Sequence, residues 1–421
     1  MWKKALIVFG SAVMQRLSML VMTMLAARLI GAAELGKFAI IYATCVNLTG
    51  FVGEALAATV NQRVASAADQ PRHVQYELAG MILSFCVLLS LGLGILIELF
   101  APLISKLTSG STELTAYIRI SGVMTMFLLP NTVVNALLNA FGRNLAAASV
   151  ASTGAVASVL LGLLGAYYYG AFGMCMGFAT GTLLLSGLYL LVLKHQFSRT
   201  FLGVVDMHRY FSSGIFASFT FPTMATMALG GPVHWLCMSF LGSSPAGVRQ
   251  VAIFTAMFQW YSILTFIPGA LMNFTVPWLA RAKALGEAMF QRQALRIAVV
   301  NLICAGALLL AVWLLESFIL ALYGSDFRDE GRVLQILAAC GFVGVLTTVM
   351  NQILWASGKT WSNLLTASVY GVTYVVSAFV LVKYAEHGVI GLALSILMAS
   401  VVQGLMQGRV VLSFQPSKTR A

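Results

Sequence analysis

The stretch NALLNAFGRN, residues 135–144, has an echo in NQILWASGKT at 351–360. Asn135 falls on Asn351, Gly142 on Gly358 and Arg143 on Lys359, each time where a long apolar run ends in a glycine and a base. Working outward, LIGAAELGKFAIIYA (29–43) answers FLGSSPAGVRQVAIFTA (240–256), setting Gly31 and Gly36 against Gly242 and Gly247. Each glycine pair frames a short turn, where glycine supplies conformations that other residues resist. YYYGAFG (167–173) likewise matches AEHGVIG (385–391), with Gly170 and Gly173 against Gly388 and Gly391. The matches recur in one order at nearly equal spacings, which predicts two halves, 1–200 and 201–421.

Composition says what each half is made of. The 421 residues are 60% hydrophobic and 9% charged, against roughly 25% charged in a soluble domain. Mean hydropathy is +0.90. A bilayer-crossing helix needs about 20 apolar residues, and twelve runs qualify: 5–30, 36–60, 78–105, 117–140, 145–169, 172–193, 211–241, 248–280, 295–322, 333–356, 363–384 and 389–412. The fold class expected is therefore all-α and polytopic, with twelve transmembrane helices in two six-helix lobes. Six helices per half give both halves the same orientation, a parallel repeat. The first run, behind Lys3 and Lys4, has the look of a signal peptide; with eleven more runs behind it, it reads as a retained first helix.

Charge sets the orientation. One set of loops carries sixteen bases against four acids, and the opposite set eight against eight. By the positive-inside rule both termini are cytoplasmic. The net charge of +12 is thus a topology signal, and no basic stretch is long enough to track nucleic acid. The six cysteines lie in apolar runs without metal spacing and read as small buried side chains. The five histidines are scattered, no phosphate-binding loop occurs, and no long aqueous loop offers an enzyme its donor site.

Polar residues inside the runs are the candidates for function. Asn131, Asn135 and Asn139 recur every four residues and so form one row on a helix. A stripe of amides against lipid is costly, which leaves a wet cavity or a seam between lobes. Amides donate and accept as sugar hydroxyls do, and Asn351 joins the set as the repeat counterpart of Asn135. Arg16 lies eleven residues into its run, near mid-bilayer at 1.5 Å per residue. Glu54, on the returning second helix, is its candidate partner. Two readings fit the pair: a buried structural ion pair, or a guanidinium for substrate phosphate with Glu54 as its release or as a proton carrier. Asn61, Gln62 and Arg63 close the second helix at the cytoplasmic mouth, as a solvated cap or a headgroup site. In GGPVHW (230–235), Gly230, Gly231 and Pro232 predict a kink and a candidate hinge. His234 beside them is either structural or a second proton site.

The motifs LIGAAELGKF (29–38), FVGEALAATVNQRVA (51–65), NALLNAFGRN, YGSDFRDEGRVLQIL (323–337) and ILWASGK (353–359), taken in order, resemble the Wzx-type polysaccharide transporters of the multidrug/oligosaccharidyl-lipid/polysaccharide exporter superfamily. The likeness spans nearly the whole chain, although each motif is loose. It implies two six-helix lobes around a central cavity and an O-antigen flippase in the bacterial cytoplasmic (inner) membrane. Cargo would be an undecaprenyl-diphosphate-linked oligosaccharide, moved to the outer leaflet by alternating access and driven by H+ or Na+. The resemblance further implies a monomer among membrane lipids, working beside other glycan-assembly proteins, without cofactor or metal. Two departures bear on the branch. There is no room for the two additional helices of lipid II flippases, and Arg16 stands in the first helix where multidrug branches often keep a carboxylate. A multidrug antiporter is the alternative, and a membrane-embedded glycan polymerase or glycosyltransferase the third reading.

Overall fold

The computed structural model describes residues 2–66, 70–196, 214, 216–357 and 359–412, and all of their regular structure is helical. Gly358, the proposed boundary at residue 200 and the bases Arg199, Arg209, Lys418 and Arg420 lie outside the described residues. Nine continuous segments among those described are long and apolar enough to cross a membrane. Two of them are double. Gly10–Val64 turns at Gly31 (φ 75°, ψ 171°), and Asn144–Lys194 turns at Tyr169 and Gly170 (φ 60°, ψ −145°). With the 39-residue helix Gly247–Leu285 the spans number twelve, in the places read from hydropathy.

The described residues pack as two compact units, 1–249 and 250–421. In the first unit the second, third, fourth and sixth spans share a core that includes Leu56, Val60, Ile82, Leu137 and Tyr189. In the second unit Leu279, Phe290, Ile297, Val349 and Ile353 cluster in the same manner. The seventh span packs within the first unit. Thr220 meets Thr59 of the second span at 3.1 Å, and Trp235 donates to Thr44 of that span at 3.1 Å.

Between apolar helices in lipid there is little hydrophobic drive, so close packing of small residues decides which spans associate. The fifth and sixth spans show this. A Cβ added at Gly173, Gly177 or Gly181 would collide with backbone of Gly165, Leu161 or Ser158 respectively. The motif behind it, GMCMGFATG (173–181), carries glycine at every fourth residue. Gly94 and Gly122 press together in the same way between the third and fourth spans, each within 3 Å of where the other's Cβ would begin.

The repeat has a counterpart in side-chain contacts. After the third span comes a short helix, Ala101–Ser109, and after the ninth comes Glu316–Tyr323. Glu98 pairs with Arg119 at 3.9 Å, and Glu316 accepts from Gln335. In both halves a carboxylate beside the short helix contacts the fifth residue of the long helix that follows it, Thr115–Ala140 or Gly331–Ala356. The outer turns differ more than their glycines suggest. In LIGAAELG the left-handed residue is Gly31, but in FLGSSPAG it is Ala246 (φ 53°). Gly242 is helical, and Gly247 serves close approach to the carbonyls of Leu241 and Gly242. The paired glycines therefore do different work. Glu34 of the first turn accepts the Ala171 amide at 3.2 Å, capping the sixth span as an N-terminal carboxylate does. It also pairs with Lys37.

Five of the six cysteines are buried free thiols; Cys304 is exposed, which corrects the expectation of uniform burial. It shares an outward apolar side of the ninth span with Val300 and Ile303, where a small soft side chain meets lipid as readily as protein.

Candidate polar site of the first unit

The first span shows two kinds of exposed residue. Met14, Leu17, Val21 and Leu25 are exposed along one side, as lipid-facing residues are. Arg16 is exposed on another side. It continues the row of Leu20, Thr23 and Ala27, which are all buried one to three turns further on. Spacings of four, seven and eleven residues put these on one helix face. The first span is therefore sealed by protein toward its outer end and open at Arg16.

The second span is built alike. Val52, Ala55, Leu56, Thr59 and Val60 are buried in the core. Glu54 and Asn61, seven residues apart and so on one face, are both exposed. No direct ion pair joins Arg16 to Glu54, unlike Lys37 with Glu34 and Arg119 with Glu98. Glu54 and Tyr42 nevertheless lie within electrostatic reach of the guanidinium. The buried structural pair offered as one reading of the sequence is not formed. What stands there is a separated base and acid, each on an open face. Gln62 is exposed and Arg63 half-buried beside Asn61.

The amide row divides. Asn131 is buried and donates to the Thr182 carbonyl of the sixth span at 3.3 Å. It bonds helix to helix, as a single asparagine in a membrane usually does. Asn135 is half-buried and Asn139 exposed, and Asn139 donates to the Asn135 side-chain oxygen at 3.4 Å. Two contacts bound their face: Leu129, which meets Gly53 of the second span, and Asn131, which meets the sixth. Leu128, Thr132, Asn135 and Asn139, on the arc between, all escape full burial, whereas Val133, Leu137, Val134 and Leu138 on the opposite arc are buried. The row thus starts as a bolt between helices and ends as an open polar strip.

In the second unit Asn351 is half-buried and accepts from Gln407 of the last span at 2.7 Å. Gln407 is wholly buried. Sequence reasoning passed over it because it lies near the cytoplasmic end of its run, where polar residues are ordinary. Only the fold shows it pointing inward. Gln352, next to Asn351, donates to the Pro268 carbonyl at 2.8 Å and accepts from Thr275 at 2.5 Å, a closed structural set.

The seventh span is broken where its glycines and proline predict. One helix ends at Ala228, the next begins at Gly231 with Pro232 in its first turn, and Gly230 takes φ −91°, ψ −82°. Gly231 sits against the Asn47 carbonyl with no room for a Cβ. Asn47 belongs to a π-helical stretch of the second span, Thr44–Leu48. Two irregular backbones therefore meet at one level, clasped by Trp235 and Thr44. His234 lies half-buried beside them.

Comparison with known proteins follows the same lines. No family model matches the chain. It is 28% identical over 400 residues to the EPS I polysaccharide export inner membrane protein EpsE of Ralstonia nicotianae, covering 92% of this chain and 88% of that one. A second protein of the same name, from Ralstonia solanacearum, is 34% identical over 181 residues, 41% of this chain and 40% of the relative. Among solved structures, lipid II flippase MurJ in an inward closed conformation superposes with a TM-score of 0.79 at 14% identity, over 98% of this chain and 88% of MurJ. An inward-facing multidrug resistance MATE family transporter of the MOP superfamily gives 0.78 at 16% identity, over 99% and 100%. These relatives are named for export, flipping and drug resistance, none for catalysis. The chain is a multi-pass membrane protein with the fold shared by MurJ and the MATE transporters of the MOP superfamily, and in sequence it is a relative of polysaccharide export proteins.

Proposed function

We propose that the chain is a flippase that carries an undecaprenyl-diphosphate-linked oligosaccharide, an O-antigen-type repeat unit, from the cytoplasmic to the periplasmic leaflet of the inner membrane. What supports this reading is an exposed Arg16, not bridged to Glu54 though within its electrostatic reach, in the same compact unit as the exposed amides Asn61 and Asn139. Arginine's planar fork suits diphosphate oxygens, and amides suit hydroxyls. Glu54 holds the guanidinium loosely when no cargo is present and yields it on binding; the same carboxylate is the proposed proton carrier, with His234 as a second. Asn61, Gln62 and Arg63 receive the headgroup at the cytoplasmic mouth. Asn135 and Asn139, with Asn351 and Gln407 in the second unit, pass the sugar along without gripping it by charge. Asn131 acts by holding the fourth span in register. Two six-helix halves, 1–200 and 201–421, work by alternating access, coupled to H+ or Na+, with both termini cytoplasmic.

Complementation is the test. Expressed in a strain lacking its own flippase, the chain is expected to restore surface polysaccharide and to clear the accumulated lipid-linked repeat. Failure of both, with the protein present in the membrane, overturns the reading. The second reading, a multidrug antiporter, is favoured by a MATE superposition nearly as close as that of MurJ. It predicts altered drug sensitivity with intact surface glycan.

The break in the seventh span is the proposed hinge, and the structure separates its two glycines. Gly230 has only the Met227 carbonyl at 3.4 Å from a Cβ, an ordinary contact, whereas Gly231 has no such space. Gly230→Ala is expected to leave the amount of folded protein unchanged and to slow transport severalfold, since alanine narrows the backbone freedom a hinge needs. Gly231→Ala is expected to reduce folded protein itself. Equal transport by wild type and Gly230→Ala, measured at matched membrane levels, removes the hinge.

A further inference from the structure

The second span carries a ring stack close to Arg16. Phe38 and Tyr42 lie with ring centroids 5.9 Å apart and 25° between their planes, and Phe178 of the sixth span meets both edge-on at 5.7 Å. Phe38 is buried and Tyr42 half-buried. Rings packed in this way hold one another in place, so the Tyr42 hydroxyl projects from a fixed base. Counted from the turn at Gly31, Tyr42 lies about 17 Å down the second span and Arg16 about 23 Å down the first, at 1.5 Å per residue. The two are within electrostatic reach of each other.

The hydroxyl is the part of Tyr42 that packing does not explain. Phenylalanine would fill the stack equally well, and a tyrosine inside a protein ordinarily finds its hydroxyl a partner, as Tyr323 does at the Ala256 carbonyl, 3.2 Å away. Among the described residues the Tyr42 hydroxyl has no hydrogen-bond partner. Resting on the flippase reading, we infer that Tyr42 is a second donor of the cargo site, its hydroxyl donating to a phosphate oxygen of the diphosphate that Arg16 holds. Both Tyr42 and Glu54 lie within reach of the guanidinium. An ionised carboxylate only accepts, so it competes with phosphate for Arg16, whereas a neutral phenol donates and joins it. A diphosphate carries two adjoining phosphate groups; the arginine fork takes one and the hydroxyl the other. A second cation would do the same only by placing another charge at bilayer depth, where charge is expensive.

The test is binding of a short probe, geranyl diphosphate, to the full chain in lipid nanodiscs, with geranyl monophosphate beside it. Tyr42→Phe removes one oxygen and no packing, so folded amount and thermal stability are expected to match wild type. Its affinity for the diphosphate is expected to fall about tenfold, the loss of one hydrogen bond to a charged group, with monophosphate binding unchanged. In an Arg16→Met background the same substitution is expected to add little, because both donors serve one anion. Four results overturn the inference: unchanged diphosphate affinity in Tyr42→Phe, equal weakening of both probes, a full further loss in the Arg16→Met background, or no diphosphate binding by wild type. Restored surface polysaccharide in the flippase-null strain would then leave the flippase reading standing. Tyr42-dependent diphosphate binding without that restoration means the reverse: the donor pair stands and the flippase reading falls.

Discussion

Arg16→Met is expected to abolish export while leaving the protein in the membrane at wild-type amount or above. The magnitudes point one way. A charged side chain near the middle of a span costs about 2.5–3.5 kcal/mol on the insertion scale, so methionine relieves the helix. No ion pair is broken, because Glu54 makes none with Arg16. Stability therefore has no reason to fall. Binding does: a hydrogen bond to a charged group is worth about 1.5–3 kcal/mol, which corresponds to roughly ten- to hundredfold in affinity for one lost contact. Arg16→Lys keeps the charge but loses the fork and is expected to fall between the two. The measurement is transport of lipid-linked sugar into proteoliposomes at equal protein, with surface polysaccharide in the complemented strain as the cellular readout. A Met variant that transports at the wild-type rate would end the assignment of diphosphate to this residue.

The second large effect is structural. Gly177→Val is expected to remove most of the folded protein, and Gly177→Ala to lower its stability by about 1–3 kcal/mol, the usual cost of overpacking. A Cβ at Gly177 collides with the Leu161 carbonyl, which belongs to a rigid helix and cannot rotate aside. The fifth and sixth spans must then separate, giving up the close contacts that associate helices in lipid. Gly187, ten residues further along the same span, has nothing within 4 Å of its Cβ position. Gly187→Ala is therefore the control and is expected to be neutral or slightly stabilising, since alanine is the better helix former. Monodispersity and thermal unfolding of the purified variants check both. Indistinguishable Gly177 and Gly187 variants would show that the hairpin is not held by its glycine row.

The count of spans was legible in the chain because hydrocarbon thickness imposes one length on every crossing helix, so runs of apolar residues report it without any knowledge of neighbours. The break at Gly230–Pro232 was legible for an equally local reason, a missing amide and a flexible backbone. The repeat could be read from its glycine turns, although Gly31 and Ala246 show that matched turns need not match in conformation. Helix rotation is another matter. Asn131, Asn135 and Asn139 look equivalent on a helical wheel, yet the first faces the sixth span and the last two an open strip, because the neighbours at Leu129 and Thr182 fix which arc is covered. The same cause hid Gln407, left Cys304 in the open, and gave the GMCMGFATG row its partner in Gly165, Leu161 and Ser158. Which residues lie at membrane depth follows from distance along the chain; which of them meet protein, lipid or open space depends on contacts between segments far apart in sequence, and those are settled only when the helices pack.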